Sequence, residues 1–296
     1  MKNPCREYGK KSKISVKNSR SRNKMKLLKG KKLADEILKN LKNEVKGKKL
    51  KLTVVLTGEN STSLIFVKEK EKACKKIGID FELLKFPVAI SQTDLAAVIK
   101  KLAADNSVSG IVLQLPLPEN INSQEMLNII PPEKDVDVLS DSAFEKFKGG
   151  ELTIIPPVVA AVSRLIDEYK IKLADKKIVL VGFGKLVGLP VSAWLTLKGI
   201  GFSVVDKTTL NPEIILREAD VIISGTGKPG LIVSPMIKQD AVVIDASTAL
   251  KYKKLVGDVD FDSVSKKASY ITPVPGGIGP LTVACLLENL VKLNNK

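Results

Sequence analysis

The sequence predicts an α/β protein of two domains with parallel sheets, the second a Rossmann-like dinucleotide-binding unit. Three observations carry this. Short apolar, β-branched runs alternate with segments of helical apolar spacing along most of the chain. The alternation breaks at a stretch punctuated by Pro116, Pro118, Pro131 and Pro132, and restarts in the second half with a strand, a glycine-rich turn and a helix. The chain has 296 residues, enough for two domains that each bury a core.

Apolar residues at helical spacing from Leu33 to Val45 predict a first helix. LTVVL (52–56), ending at Gly58, reads as a buried strand. Ser61, Thr62 and Ser63 are candidate N-caps of a helix that closes near Gly78. A strand (80–86), a helix (93–104) and the strand GIVLQLPL (110–117) continue the βαβ pattern. A helix over 157–169 connects the halves. Then come the strand KKIVLVG (176–182), a helix (188–198) and the strands GFSVVD (201–206), ADVIISG (219–225) and AVVIDAS (241–247). A last helix over 281–294 follows a Pro/Gly-rich turn.

Hydrophobic content of 44% with 27% charged residues is that of a soluble globular protein, and no apolar run is long enough to span a bilayer. The polar, basic start has no signal-peptide apolar stretch. Cys5, Cys74 and Cys285 lie far apart without metal-ligand spacing, which points to a reducing compartment and no disulfide framework. The chain has no histidine, which removes imidazole acid/base chemistry and leaves proton transfer to Lys, Asp, Glu, Tyr, Cys or water. Of the net charge of +16, half sits in residues 1–24, which hold nine Lys or Arg and one Glu. This tail is expected to be disordered, and nucleic-acid binding would rest on it alone. MKLLKGKKLADEIL, from Met25, reads as the start of the folded part. The tail then reads as dispensable or as an early start codon, with a transit peptide or an RNA-binding arm as alternatives. The remaining basic excess suits a polyanionic small substrate.

GFGKLVG (182–188) closes a strand and opens a helix. Gly182, Gly184 and Gly188 let the backbone turn tightly and approach a pyrophosphate at the helix N-terminus, although GxGxxxG is looser than the stricter fingerprint. Asp206 ends the next strand, where a carboxylate bonds the ribose hydroxyls of NAD and repels the 2′-phosphate of NADP. Without that context it is an ordinary loop residue. GTGKPG (225–230) lacks the Lys-Ser/Thr pair of an NTPase phosphate loop and reads as a turn after a strand. In SLIFVKEKEKAC (63–74), Phe66 and Lys70 share a helix face, with Ser63 one turn before and Cys74 one turn after, while Lys68 and Lys72 project elsewhere. A ring beside an amine can stack on a flat heterocycle and present the amine to it. By spacing alone, KEKEK reads more simply as a solvated, salt-bridged face.

Five runs together resemble the methylenetetrahydrofolate dehydrogenase/cyclohydrolase family: STSLIFVKEKEKACKKIGI (61–79), GIVLQLPLPENI (110–121), PPEKDVD (131–137), GDVDF (257–261) and ITPVPGGIGPLTVACLLEN (271–289). The resemblance spans Met25 to Asn289 in the family's order. It implies two α/β domains around a cleft. Residues 25–150, completed by the helix in 281–296, would hold the folate, and 151–280 the nicotinamide cofactor. It implies a cytoplasmic homodimer acting on a folate, simple or polyglutamylated. The enzyme would oxidise 5,10-methylenetetrahydrofolate to the methenyl cation with NAD or NADP and hydrolyse that cation to 10-formyltetrahydrofolate.

By position, Lys70 matches the family's catalytic lysine, Gln114 the glutamine bonded to it, and Asp137 the aspartate that grips the pterin. Ser63, Phe66, Leu113, Leu115, Pro275, Gly276, Gly277, Gly279 and Thr282 are the expected folate-binding residues. Gly182, Phe183, Gly184, Gly188, Asp206, Lys207, Gly227 and Thr248 are expected to border the cofactor, and no metal is expected. The chain departs from the family at several points. Phe66 stands for the usual Tyr and Val138 for a Gly; PPVVAA (156–161) replaces PCTPxG, and DASTA (245–249) replaces DVGIN. Phe183-Gly184 and Asp206-Lys207 stand where pairs containing Arg, His or Ser are usual, so a 2′-phosphate partner is missing and NAD is expected over NADP, with Lys207 as the counterargument. The alternatives are a member with dehydrogenase activity only and a catalytically impaired folate- or NAD-binding homologue. The presence of Lys70, Gln114 and Asp137 together favours the bifunctional reading.

Overall fold

The computed structural model describes residues 25–295, so the expectations for the tail 1–24 lie outside the described residues. In chain order the elements are β1 (Lys26–Leu27), α1 (Lys31–Glu44), β2 (Lys51–Thr57), α2 (Ser61–Ile77), β3 (Asp80–Phe86), α3 (Gln92–Ala104), β4 (Gly110–Leu113), α4 (Ser123–Leu127) and α5 (Asp141–Lys148). After α6 (Pro157–Glu168) come β5 (Ile178–Val181), α7 (Gly188–Leu197), β6 (Ser203–Val205), α8 (Pro212–Glu218), β7 (Val221–Ser224) and β8 (Val242–Asp245). The chain closes with β9 (Ala249–Lys251), β10 (Lys254–Val256), α9 (Phe261–Val264), β11 (Tyr270–Ile271) and α10 (Ile278–Leu293).

Two parallel sheets result. The first has the order β3-β2-β4, and the second β1-β11-β8-β7-β5-β6. The strands expected from apolar runs are present, because a strand covered on both faces needs continuous apolar sequence. VVL (54–56) and IVLV (178–181) are buried throughout. Burying each such side chain contributes about 1.5–3 kcal/mol. The strand order of the second sheet reverses at β5, which has β6 on one side and β7 on the other, and in such sheets this switch point opens a crevice at the strands' C-terminal ends.

The structure adds the short elements α4, α5, α8, β9, β10, α9 and β11 to those expected, and four further differences concern a cap, two element ends and the first strand. The cap of α2 is Asn60, whose side chain accepts from the Ser63 backbone N–H at 3.0 Å, so the three candidate hydroxyl caps lie inside the helix. Gly78 does close that helix, at φ +89°. β4 ends at Leu113 rather than 117, because Pro116 and Pro118 bring no N–H to a ladder and the chain turns after the Gln114 N–H bonds the Val55 carbonyl. α10 starts at Ile278 rather than 281, since Pro280 falls in the first helical turn, where an N–H has no intrahelical partner. β1 belongs to the second sheet: Lys26 pairs with Tyr270 and Leu27 with Ile271, although these residues begin the stretch assigned to the first domain.

The halves are joined by packing. α10 lies against α1, α2 and α6. One apolar cluster runs from Leu52 and Val67 through Leu287 and Leu165 to Leu180. Asn289 of α10 donates to the carbonyls of Val136 and Ile155 at 3.0 and 2.8 Å, fixing the loop beside Asp137 to the segment entering α6.

Candidate functional site: a cleft between two sheets

Lys70 stands in the middle of a charged helix, yet it is buried, while Lys68 and Lys72 are exposed. Its Nζ donates to Gln114 Oε1 at 2.8 Å. The Gln114 amide is oriented by its other end, since Nε2 donates to the Leu115 carbonyl at 3.1 Å. Ser63 Oγ donates to that carbonyl as well, at 3.1 Å. Ser63, expected at the substrate, is buried and spends its hydroxyl holding the turn that aims Gln114. The surrounding Leu115–Pro116 peptide is cis.

Asp137 enters from the loop after β4. The preceding Asp135 is buried and fastens that loop, its Oδ2 accepting from the backbone N–H groups of Leu139 and Ser140 at 3.0 and 2.7 Å. Val138, where the family has glycine, adopts φ +57°, a conformation that costs an L-residue about 1–2 kcal/mol. Burial pushes the Asp137 carboxyl up to about 6, with Lys70 opposing and Asp135 adding to the rise. Burial likewise lowers the Lys70 ammonium below the ordinary lysine range, against the pull of Asp137 and Cys74. The Cys74 thiol, pushed by burial to about 12, stays neutral.

Lys70, Gln114 and Asp137 line one cavity of about 350 Å³ with Phe66, Leu113, Leu115, Gly279 and Thr282. Its far wall comes from the second half of the chain: Leu186, Val187, Pro190, Gly225, Thr226, Gly227, Ala246, Ser247 and Thr248. Sequence reasoning had named Gly227 and Thr248 from this wall. It noted the run 156–161 and the run that holds Ile278 but named neither Pro156–Val158 nor Ile278 as site residues, and it missed Leu139. Among the described residues, Lys70 and Asp137 are the titratable side chains in this lining.

Pro275, Gly276 and Gly277 line a second cavity instead, of about 540 Å³, which also reaches Phe66. The two cavities share Phe66, Ser247, Thr248, Ile278 and Gly279. The Phe66 ring stands beside Gly279, where an added Cβ would be 3.8 Å from it. Lys31, Lys72 and Lys76 also line the second cavity.

The remaining cofactor candidates, Gly182, Phe183, Gly184, Gly188, Asp206 and Lys207, lie outside the lining of the first cavity, on the turn from β5 into α7 and just after β6. Gly182 follows β5 at φ +88°, and a Cβ on Gly188 would stand 2.0 Å from the Gly182 carbonyl oxygen. Only glycine fits this close turn, the form a backbone takes when it cradles a pyrophosphate. Gly184 faces open space. Phe183 and Leu186 are large apolar residues left about half exposed in this loop, at 47% and 50%. Asp206 and Lys207 are exposed at the end of β6. Asp206 Oδ1 accepts from the Thr208 N–H and hydroxyl at 2.8 and 2.7 Å, which caps its own turn and leaves Oδ2 for a ligand. Those hydrogen bonds hold its carboxyl below the usual range.

Comparison with known proteins agrees with this geometry. The catalytic domain of tetrahydrofolate dehydrogenase/cyclohydrolase matches residues 28–137, and the NAD(P)-binding domain of the same enzymes matches 156–296. The bifunctional protein FolD of Hydrogenobaculum sp. is 43% identical over 272 residues, covering 90% of this chain and 98% of its own. The crystal structure of the bifunctional FolD methylenetetrahydrofolate dehydrogenase/cyclohydrolase of Campylobacter jejuni superposes with a TM-score of 0.84 at 39% identity, covering 91% of this chain and 98% of that one. The Trypanosoma brucei dehydrogenase-cyclohydrolase, complexed with NADP cofactor and inhibitor, superposes with a TM-score of 0.85 at 33% identity, covering 91% and 97%.

Proposed function

The chain belongs to the tetrahydrofolate dehydrogenase/cyclohydrolase family, and we propose that the single cleft around Lys70 carries both of that family's steps. It oxidises 5,10-methylenetetrahydrofolate to the methenyl cation with a nicotinamide dinucleotide and hydrolyses the cation to 10-formyltetrahydrofolate. The observation that carries the assignment of roles is the titratable lining of the cavity, a buried lysine and a half-buried aspartate facing residues of the second sheet's loops.

Asp137, when ionised, accepts from the ring N–H and amino group of the pterin, a charge-assisted pair that orients the flat ring system. Phe66 stacks against the folate and holds the one-carbon unit towards Thr226, Gly227 and Thr248. The nicotinamide ring, when bound there, takes up the hydride. Hydrolysis then needs a proton acceptor for the attacking water. Lys70 serves because burial lowers its pKa and the adjacent substrate cation lowers it further. Gln114 Oε1 holds the amine in place through either step.

The second cavity takes the p-aminobenzoyl-glutamate part of the substrate and further glutamates. Lys31, Lys72 and Lys76 lie in its lining, and the exposed pairs of Lys72 with Glu69 and of Lys76 with Asp35 are weak enough to yield to a substrate carboxylate. NAD is the preferred cofactor, supported by the free Oδ2 of Asp206 at the ribose position. The enzyme is a cytoplasmic homodimer; its buried free thiols Cys74 and Cys285 suit a reducing compartment. The chain divides at about residue 150, a reading supported by the separation of strands β2–β4 from the second sheet, with β1 crossing to the second.

The test is incubation of the purified protein with 5,10-methylenetetrahydrofolate and NAD or NADP, following reduced cofactor and methenyl absorbance together. Both activities give reduced cofactor without lasting methenyl absorbance. Persistent methenyl accumulation would mark a dehydrogenase alone. Absence of reduced cofactor with either dinucleotide, under conditions where folate binds, would overturn the reading.

A further inference from the structure

Two short loops of the dinucleotide side of the cleft, 225–228 and 246–248, meet at one residue that does not line it. Asp258 follows β10 and is completely buried. Its Oδ2 accepts from Ser224 Oγ at 2.6 Å and from the Thr226 N–H at 2.7 Å, and its Oδ1 accepts from the Lys228 N–H at 2.8 Å. The turn that contains Gly225, Thr226 and Gly227 is therefore shaped by this carboxylate. The Asp258 backbone N–H donates to Ser247 Oγ at 2.8 Å, and Ser247 Oγ donates to Asp245 Oδ1 at 2.8 Å. Asp245 Oδ2 accepts from the Val259 N–H at 2.9 Å, which closes the circuit. Ser247 stands where the family has the glycine of DVGIN, so its hydroxyl is a link that glycine cannot supply.

We propose that Asp258 is a positioning residue for the dinucleotide, setting the separation of the cleft walls at 225–227 and 246–248 through these bonds. The inference rests on the reading that those walls receive the nicotinamide end. A buried carboxylate that takes backbone N–H groups on both oxygens fixes a turn strongly, because each donor would otherwise be orphaned. Asparagine keeps the shape of Asp258 but presents an amide NH₂ to one set of donors, so the turn must open or shift.

The experiment compares Asp258→Asn and Ser224→Ala with the wild type in the full chain, using two readouts. Direct titration with NADH without folate gives the dissociation constant. Hydrolysis of 5,10-methenyltetrahydrofolate without dinucleotide reports the folate side, which Asp258 does not touch. The expected result for Asp258→Asn is a rise of tenfold or more in the NADH Kd, with hydrolysis within twofold of wild type. For Ser224→Ala, which removes one donor, a rise of about threefold is expected. If Asp258→Asn does not fold, Ser224→Ala decides. An unchanged Kd in the folded variants, or loss of binding and hydrolysis in equal proportion, overturns the inference. Failure of the wild type to bind NADH or NADPH overturns the underlying reading and the inference with it.

Discussion

Replacing Asp137 with asparagine is expected to stabilise the fold at neutral pH while weakening folate binding. The carboxyl is pushed from 3.8 up to about 6, chiefly by burial, and that value already contains the attraction of Lys70. Between those values the folded chain holds a proton that the unfolded chain has released. Stability therefore falls as pH rises through the window, and the full penalty is present above pH 6. A rise of about 2 pH units corresponds to roughly 3 kcal/mol. The side chain opens onto the cleft and is only partly buried, so solvent screening reduces the expected gain to about 1–2 kcal/mol. Asparagine has the shape of the neutral carboxyl and escapes the penalty. Differential scanning calorimetry should show Tm higher by about 2–6 °C at pH 7.5, with the difference vanishing near the acid end of the window. Binding of a folate analogue, measured alongside, should weaken by tenfold or more as the charged partner of the pterin is lost. A variant less stable than wild type at pH 7.5 would refute this reasoning, because the Lys70 attraction would then outweigh the cost of burying the charge.

Two further substitutions address the cofactor side. Asp206→Ser keeps an oxygen to cap the Thr208 turn but removes the charge, and should move the kcat/KM ratio from NAD towards NADP by about tenfold; an unmoved ratio would show that Asp206 does not face the ribose. Gly188→Ala drives a methyl against the Gly182 carbonyl oxygen, 2.0 Å from the ideal Cβ position. It should lower stability by about 1–3 kcal/mol and dinucleotide reduction at least tenfold more than methenyl hydrolysis, as the ratio of the two rates will show.

The strands were legible because burial on both faces demands unbroken apolar runs, and the glycine turn because Gly182 and Gly188 are sterically required. Lys70, Gln114 and Asp137 were legible through family resemblance. Spacing put Lys70 on a different helix face from Lys68 and Lys72 but could not show that this face is buried, since that depends on the segment after β4, with Gln114, meeting α2. Ser63 was placed on the right helix face, but its hydroxyl is taken by a carbonyl 52 residues away. Such a contact leaves no local pattern. The same holds for Asp258 and Asp245, acids near strand ends whose burial depends on which backbone N–H groups the tertiary fold brings to them. The edge strand β1 was missed because two residues carry no periodicity.

The central claim is that Lys70 is the proton acceptor for hydrolysis within a cleft shared with hydride transfer. Its most direct test is Lys70→Met assayed against wild type with 5,10-methylenetetrahydrofolate and NAD, reading NADH and methenyl absorbance in the same cuvette. The expected result is that wild type forms NADH without lasting methenyl absorbance, while the variant accumulates the methenyl cation in step with whatever NADH it forms. Hydrolysis of added methenyltetrahydrofolate by the variant at the wild-type rate would contradict the claim.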